Sequence, residues 1–101
     1  MIEKHMPTSV RYNDIIRFRH DLKYESLSNG FQVSTRYLTS KFSNQSYLKE
    51  LGEIIHKEDK TAGEIVFLLN KLGLPEANTL YYLNMLFNKG LLDEEPLLNH
   101  F

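Results

Sequence analysis

The residue types that carry most protein chemistry are thinly spread along this chain. Its four histidines, His5, His20, His56 and His100, fall on different segments. No pair has the close helical spacing of a zinc site, which needs several ligands converging on one point. Cysteine is absent, which excludes thiolate metal sites, disulfides and a cysteine nucleophile. The paired carboxylates Glu58-Asp59 and Asp93-Glu94-Glu95 sit among polar neighbours, as solvated charge does, and not in an apolar setting that would tune them for proton transfer. There is no Gly-x-Ser-x-Gly elbow, no phosphate-cradling glycine loop and no dinucleotide fingerprint. The expectation is a protein with no catalytic residue, no metal and no cofactor, and therefore one that binds.

What it binds is constrained by charge. Residues 1–60 carry ten Lys and Arg against eight Asp and Glu, whereas residues 61–101 carry two against five. The two parts are thus net +2 and net −3, although the whole chain is only −1. Helix-turn-helix order in the second part suggests a winged-helix DNA-binding regulator, and Arg17, Arg19, Arg36 and Lys41 are able to meet phosphates. The helix that would read bases, however, holds one Lys, one Glu and the adjacent pair Tyr81-Tyr82, which is a poor match for a phosphate backbone. Tyr81, Tyr82 and Met85 widen the apolar stripe of that helix beyond what one packed face requires. A broad apolar helix beside an open strand makes a peptide groove. A homodimer contact through the same three residues is the other use for them.

These residues need elements to hold them. A chain of 101 residues, 42% apolar and 25% charged, is one folded domain's worth of sequence. No stretch reaches the roughly 20 apolar residues of a membrane span, and a cytoplasmic location is expected. Residues 1–14 show no period and read as a flexible lead-in, residues 15–95 as the domain, and residues 96–101 as a tail. Ile15 to His20 alternates apolar with basic residues, as a short strand or extended arm does. Leu22–Leu27 and Phe31–Thr35 flank Ser28-Asn29-Gly30, which predicts a hairpin on a three-residue connection with Gly30 supplying positive φ. Tyr37–Phe42 alternates again and completes a three-stranded antiparallel sheet. Such a sheet requires a second layer.

Three helices supply it. Ser43 and Asn44 are candidate caps for a first helix with apolar positions Tyr47, Leu48, Leu51, Ile54 and Ile55. Thr61-Ala62-Gly63-Glu64 is a capping box opening a second helix, with Ala62, Ile65, Val66, Leu68, Leu69 and Leu72 inward and Gly73 closing it. Pro75 suits the first turn of a third helix whose buried stripe is Leu80, Leu83, Leu86 and Phe87, after which Leu91 and Leu92 return to the core. The fold class is α+β and winged-helix-like.

The strand order, the stretch Leu51–Ile65 with its charged turn and Thr-x-x-Glu-hydrophobic motif, and the exit Leu83–Leu92 together resemble a known family. This is the precursor-peptide recognition element of ribosomally made, modified peptide natural products. The resemblance covers about residues 20–95 and extends to the small carrier protein of quinone-cofactor biosynthesis and to the recognition domains of azoline-forming cyclodehydratase systems. The chain departs from it in having Glu58-Asp59-Lys60 where an Asp-Gly turn is usual, and in lacking the tryptophan and the Leu-Asn signature of some branches. The resemblance implies that a leader segment adds as a strand beside Tyr37–Phe42, in a groove bounded by the third helix. The site would be Arg36, Tyr37, Leu38, Thr39, Ser40, Lys41 and Phe42 with Tyr81, Tyr82, Met85 and Lys89. The partners would be the precursor leader and a separate modifying enzyme, a cyclodehydratase or radical enzyme, with neither nucleic acid nor membrane involved.

Overall fold

Alternation in the first half of the chain becomes a meander. The computed structural model describes residues 9–93. It runs β1 (Ile15–Ile16), β2 (Lys23–Leu27), β3 (Gly30–Ser34), β4 (Thr39–Ser43), α1 (Leu48–Lys57), β5 (Lys60–Thr61), α2 (Ala62–Leu72) and α3 (Glu76–Asn88). β2, β3 and β4 form one antiparallel sheet in that order, and β1 pairs with β5 in a separate two-stranded ribbon. The architecture is the expected α+β one, a three-stranded antiparallel sheet with three helices after it. The predicted tail, residues 96–101, lies outside the described residues.

The sheet turns one face inward. Phe31 and Val33 of β3 and Phe42 of β4 are buried, and in the strand period they share a face with Tyr24 of β2. Phe31 is the centre of an aromatic group, with ring centroids 5.1 Å from Phe42, 5.6 Å from Phe18 and 6.0 Å from Tyr24. α1 lies across this face, mostly under β2 and β3. Its Gly52 allows the close approach, because a Cβ there would stand 2.5 Å from the Phe31 ring. Burying a phenylalanine completely contributes about 1.5–3 kcal/mol, so Phe31 anchors helix to sheet.

Several local expectations are corrected. The hairpin connection is Ser28-Asn29 alone, and Gly30 is the first residue of β3 without a positive φ. A glycine is needed there for space, since a Cβ would fall 1.9 Å from the Phe42 carbonyl oxygen. The third strand of the sheet is Thr39–Ser43, so Arg36 and Tyr37 form the bend before it. Ser43 ends that strand, and neither it nor Asn44 caps α1. The N-cap is Tyr47 in the left-handed region at φ 67°, with no side-chain cap bond. The chain thus turns from sheet into helix through two positive-φ residues, Asn44 and Tyr47.

The alternation over Ile15 to His20 is realised in burial more than in strand. Ile16 and Phe18 are buried, but only Ile15–Ile16 is paired as a strand, while Phe18 makes an isolated bridge to Leu92. Residues just before it are tied to the body. Val10 N–H donates to Asn84 Oδ1 at 2.6 Å, and Tyr12 and Asp14 carbonyls accept from the amides of Gly63 and Ala62 at the start of α2.

The second helix follows its sequence signals closely. Thr61 Oγ1 accepts from Glu64 N–H at 3.1 Å and Glu64 Oε1 accepts from Thr61 N–H at 2.8 Å, a complete capping box. Gly73 closes α2 at φ 115°. Ala62, Ile65, Val66 and Leu69 are buried as expected, but Leu72, at the flank of the stripe, is exposed. In α3 the buried positions are Thr79, Tyr82, Leu83 and Leu86. The stripe is rotated from the expected one, leaving Leu80 and Phe87 half-buried. Leu91 and Leu92 do return to the core. Among the described residues no helix is long and apolar enough to cross a membrane.

Candidate functional site

β4 is an edge strand, pairing with β3 on one side and with nothing among the described residues on the other. The phase of its hydrogen bonds follows from two contacts beyond its ends. Thr35 N–H donates to the Leu38 carbonyl at 2.8 Å, and Asn44 N–H donates to the Asn29 carbonyl at 3.3 Å. With the register Gly30 to Ser43 through Ser34 to Thr39, antiparallel alternation makes Leu38, Ser40, Phe42 and Asn44 the residues bonded to β3. The N–H and C=O groups of Thr39, Lys41 and Ser43 therefore point away from the sheet. No backbone group of the described residues meets them.

The side chains alternate on the same strand. Thr39, Lys41 and Ser43 lie on the outer, polar face of the sheet, in rows with Ser34, Gln32 and Gly30. Gln32 Nε2 donates to Glu25 Oε1 at 2.9 Å in the middle row, so Glu25 is engaged by its neighbour. Lys41 has no ion-pair partner among the described residues. Leu38, Ser40 and Phe42 lie on the inner face. Phe42 is buried, whereas Leu38 is 57% exposed.

The approach to the strand is aromatic and basic. Tyr37 is 86% exposed and its ring lies 5.7 Å below the Arg36 guanidinium carbon. Arg36 and Tyr37 line a shallow recess of about 500 Å³ with Arg19, Asp21 and Thr35. Arg19 is committed there. It forms an ion pair with Asp21, which holds that carboxyl below its ordinary value, and it donates to the Gly90 carbonyl at 3.0 Å.

The expected residues of α3 divide. Tyr81 is 65% exposed, Met85 is half-buried and Lys89 is exposed. Tyr82, by contrast, is 5% exposed and its hydroxyl donates to the Ser46 carbonyl at 3.2 Å. Burial pushes its phenol above the ordinary value. Tyr82 thus ties α3 to the loop after β4 and belongs to the core. The structure brings Arg36 through Phe42 together on one hairpin, and Tyr81 beside Tyr82 with ring centroids 6.0 Å apart. Among the described residues no hydrogen bond or ring contact joins the hairpin residues to Tyr81 or Met85. Ser43, which in sequence has the signature of a helix cap, completes the outward backbone set of β4.

Residues 16–90 match the family described as the C-terminal domain of protein y4wI. The chain belongs to that family. The match runs from β1 to the glycine after α3, so it takes in the whole sheet, all three helices and every candidate residue named above. No curated protein matches the chain, and no solved structure does either.

Proposed function

We propose that this domain captures the leader segment of a ribosomally made precursor peptide as an added strand on β4 and presents the tethered remainder to a separate modifying enzyme. The observation that carries the reading is the open edge of β4, with the backbone groups of Thr39, Lys41 and Ser43 directed outward. A strand added there exchanges main-chain hydrogen bonds with those residues, and side chains on alternate positions supply specificity. Tyr37 and Leu38, at the start of the strand, offer apolar surface for the leader, and Arg36 and Lys41 offer positive charge. The domain does no bond chemistry in this reading. Holding the leader raises the effective concentration of the attached core at the partner enzyme, a cyclodehydratase or a radical enzyme.

The rival reading is duplex DNA binding through α3. The exposed residues of that helix and its end are Glu76, Ala77, Asn78, Tyr81, Asn88 and Lys89. One cation beside one carboxylate gives such a surface little attraction for phosphates.

Fluorescence anisotropy with a labelled leader, taken from a short precursor encoded beside the gene for this chain, tests the proposal. Lys41→Pro removes an outward N–H from an edge strand and is expected to abolish binding, whereas Lys41→Ala keeps the amide and weakens binding modestly. Equal losses from the two substitutions would count against strand addition. Measurable duplex affinity that falls steeply with salt would favour the rival.

A further inference from the structure

Strand addition on β4 leaves open which sequences are accepted, and resting on that reading we infer that Lys41 selects an extended peptide with a carboxylate directly opposite it. The backbone phase fixes which peptide positions can matter. A strand bonded to Thr39, Lys41 and Ser43 places the residues facing those three on the outer face of the sheet, and the residues between them on the inner face beside Ser40 and Phe42. The accepted segment therefore alternates, polar outward and apolar inward. Its central outward residue lies against an ammonium that has no ion-pair partner among the described residues. The carboxylate on the same row of the sheet, Glu25, is two strands away and accepts from Gln32.

The same lysine argues against a second copy of this chain as the occupant. Two β4 strands in full antiparallel overlap, Thr39 facing Ser43, put one Lys41 opposite the other. Like charges directly across a sheet repel, and an edge lysine is a common guard against self-pairing. Arg36 adds a second positive group at the entry to the strand, its guanidinium engaged among the described residues by the face of Tyr37. The electrostatics thus disfavour that self-pairing and favour an acidic guest.

The test uses the full chain and a displayed library of random linear peptides, selected in parallel on the wild type, on Lys41→Glu and on Lys41→Pro. The expected result on the wild type is an alternating apolar pattern with Asp or Glu at one outward position. On Lys41→Glu that position should change to Lys or Arg, and peptides selected on the wild type should bind this variant roughly five- to tenfold more weakly. Alternation without a charge preference, or a preference unchanged by Lys41→Glu, overturns the selection by Lys41 while strand addition stands. Peptides that bind Lys41→Pro as well as they bind the wild type, in a variant whose circular dichroism is unaltered, overturn strand addition itself. So does the absence of any enriched peptide. A wild-type homodimer in sedimentation that is lost in Lys41→Pro assigns the edge to a second copy and overturns the inference.

Discussion

The sheet has two edges built from strands of the same length, and they differ in what lies beneath them. Under β2 stands α1, whose Lys49 donates to Ser26 Oγ at 2.9 Å and to the Leu27 carbonyl at 3.1 Å, and whose His56 stacks on Tyr24 with ring centroids 4.3 Å apart. By alternation with β3, the outward backbone groups of β2 are those of Tyr24 and Ser26. A strand added beside them would lay its inner side chains against the charged groups of Lys49 and Glu53, which already pair with each other at 3.2 Å. β4 has little of α1 beneath it, and its inner face ends in the exposed side chain of Leu38. In the proposed reading the difference teaches where a guest strand can dock: at the unpaired edge whose underlying layer leaves room for the guest's buried side chains.

Four experiments would break or sharpen this contrast. Phe31 underlies both edges, and Phe31→Ala is expected to cost about 3–5 kcal/mol, read as a lower urea midpoint, because it removes the ring that α1 and three aromatic neighbours pack against. Both edges should then lose their protection from hydrogen exchange together. Proline at matched outward positions should separate them: Lys41→Pro loses more than about tenfold in peptide affinity, and Ser26→Pro leaves affinity within about twofold. Comparable losses from both would show that the edges are equivalent.

A smaller effect is expected from Lys49→Ala. Lys49 is partly exposed, so its removal should lower stability by less than about 1 kcal/mol in a thermal melt. It should leave peptide binding unchanged, and a change in binding would mean that the β2 side takes part. The smallest effect is on pH. Arg19 holds Asp21 below its ordinary value of 3.8, chiefly by hydrogen bonding, so this contribution to stability is present above 3.8 and fades as pH falls through the lowered value. Hydrogen exchange during acid titration should show the segment leading into β2 loosening before β4 does.

Some of this protein was legible from its residues alone. The capping box at Thr61 and Glu64 and the glycine stop at Gly73 depend on backbone geometry within a few residues, so local chemistry determines them. The burial of Ile16, Phe18, Phe31, Val33 and Phe42 follows from the strand period, which any one-sided sheet imposes. The absence of cysteine excluded thiolate and disulfide chemistry without any fold, and the charge split weighed against a phosphate-binding face.

Other features required the third dimension. Tyr81 and Tyr82 are neighbours in sequence with the same side chain, yet one is exposed and the other is core, because the rotation of α3 against α2 and the carbonyl of Ser46 decided between them. Gly30 carries a turn signal in sequence, but its role is to let β3 pass the carbonyl of Phe42. Likewise the sequence shows an alternating run near residue 40, whereas which of its amides face outward depends on the phase of pairing with β3. A shift of one residue would have sent Ser40 and Phe42 outward instead. Side-chain period is a property of the strand. Hydrogen-bond phase is a property of the pair, and only the folded sheet assigns the outward set to Thr39, Lys41 and Ser43.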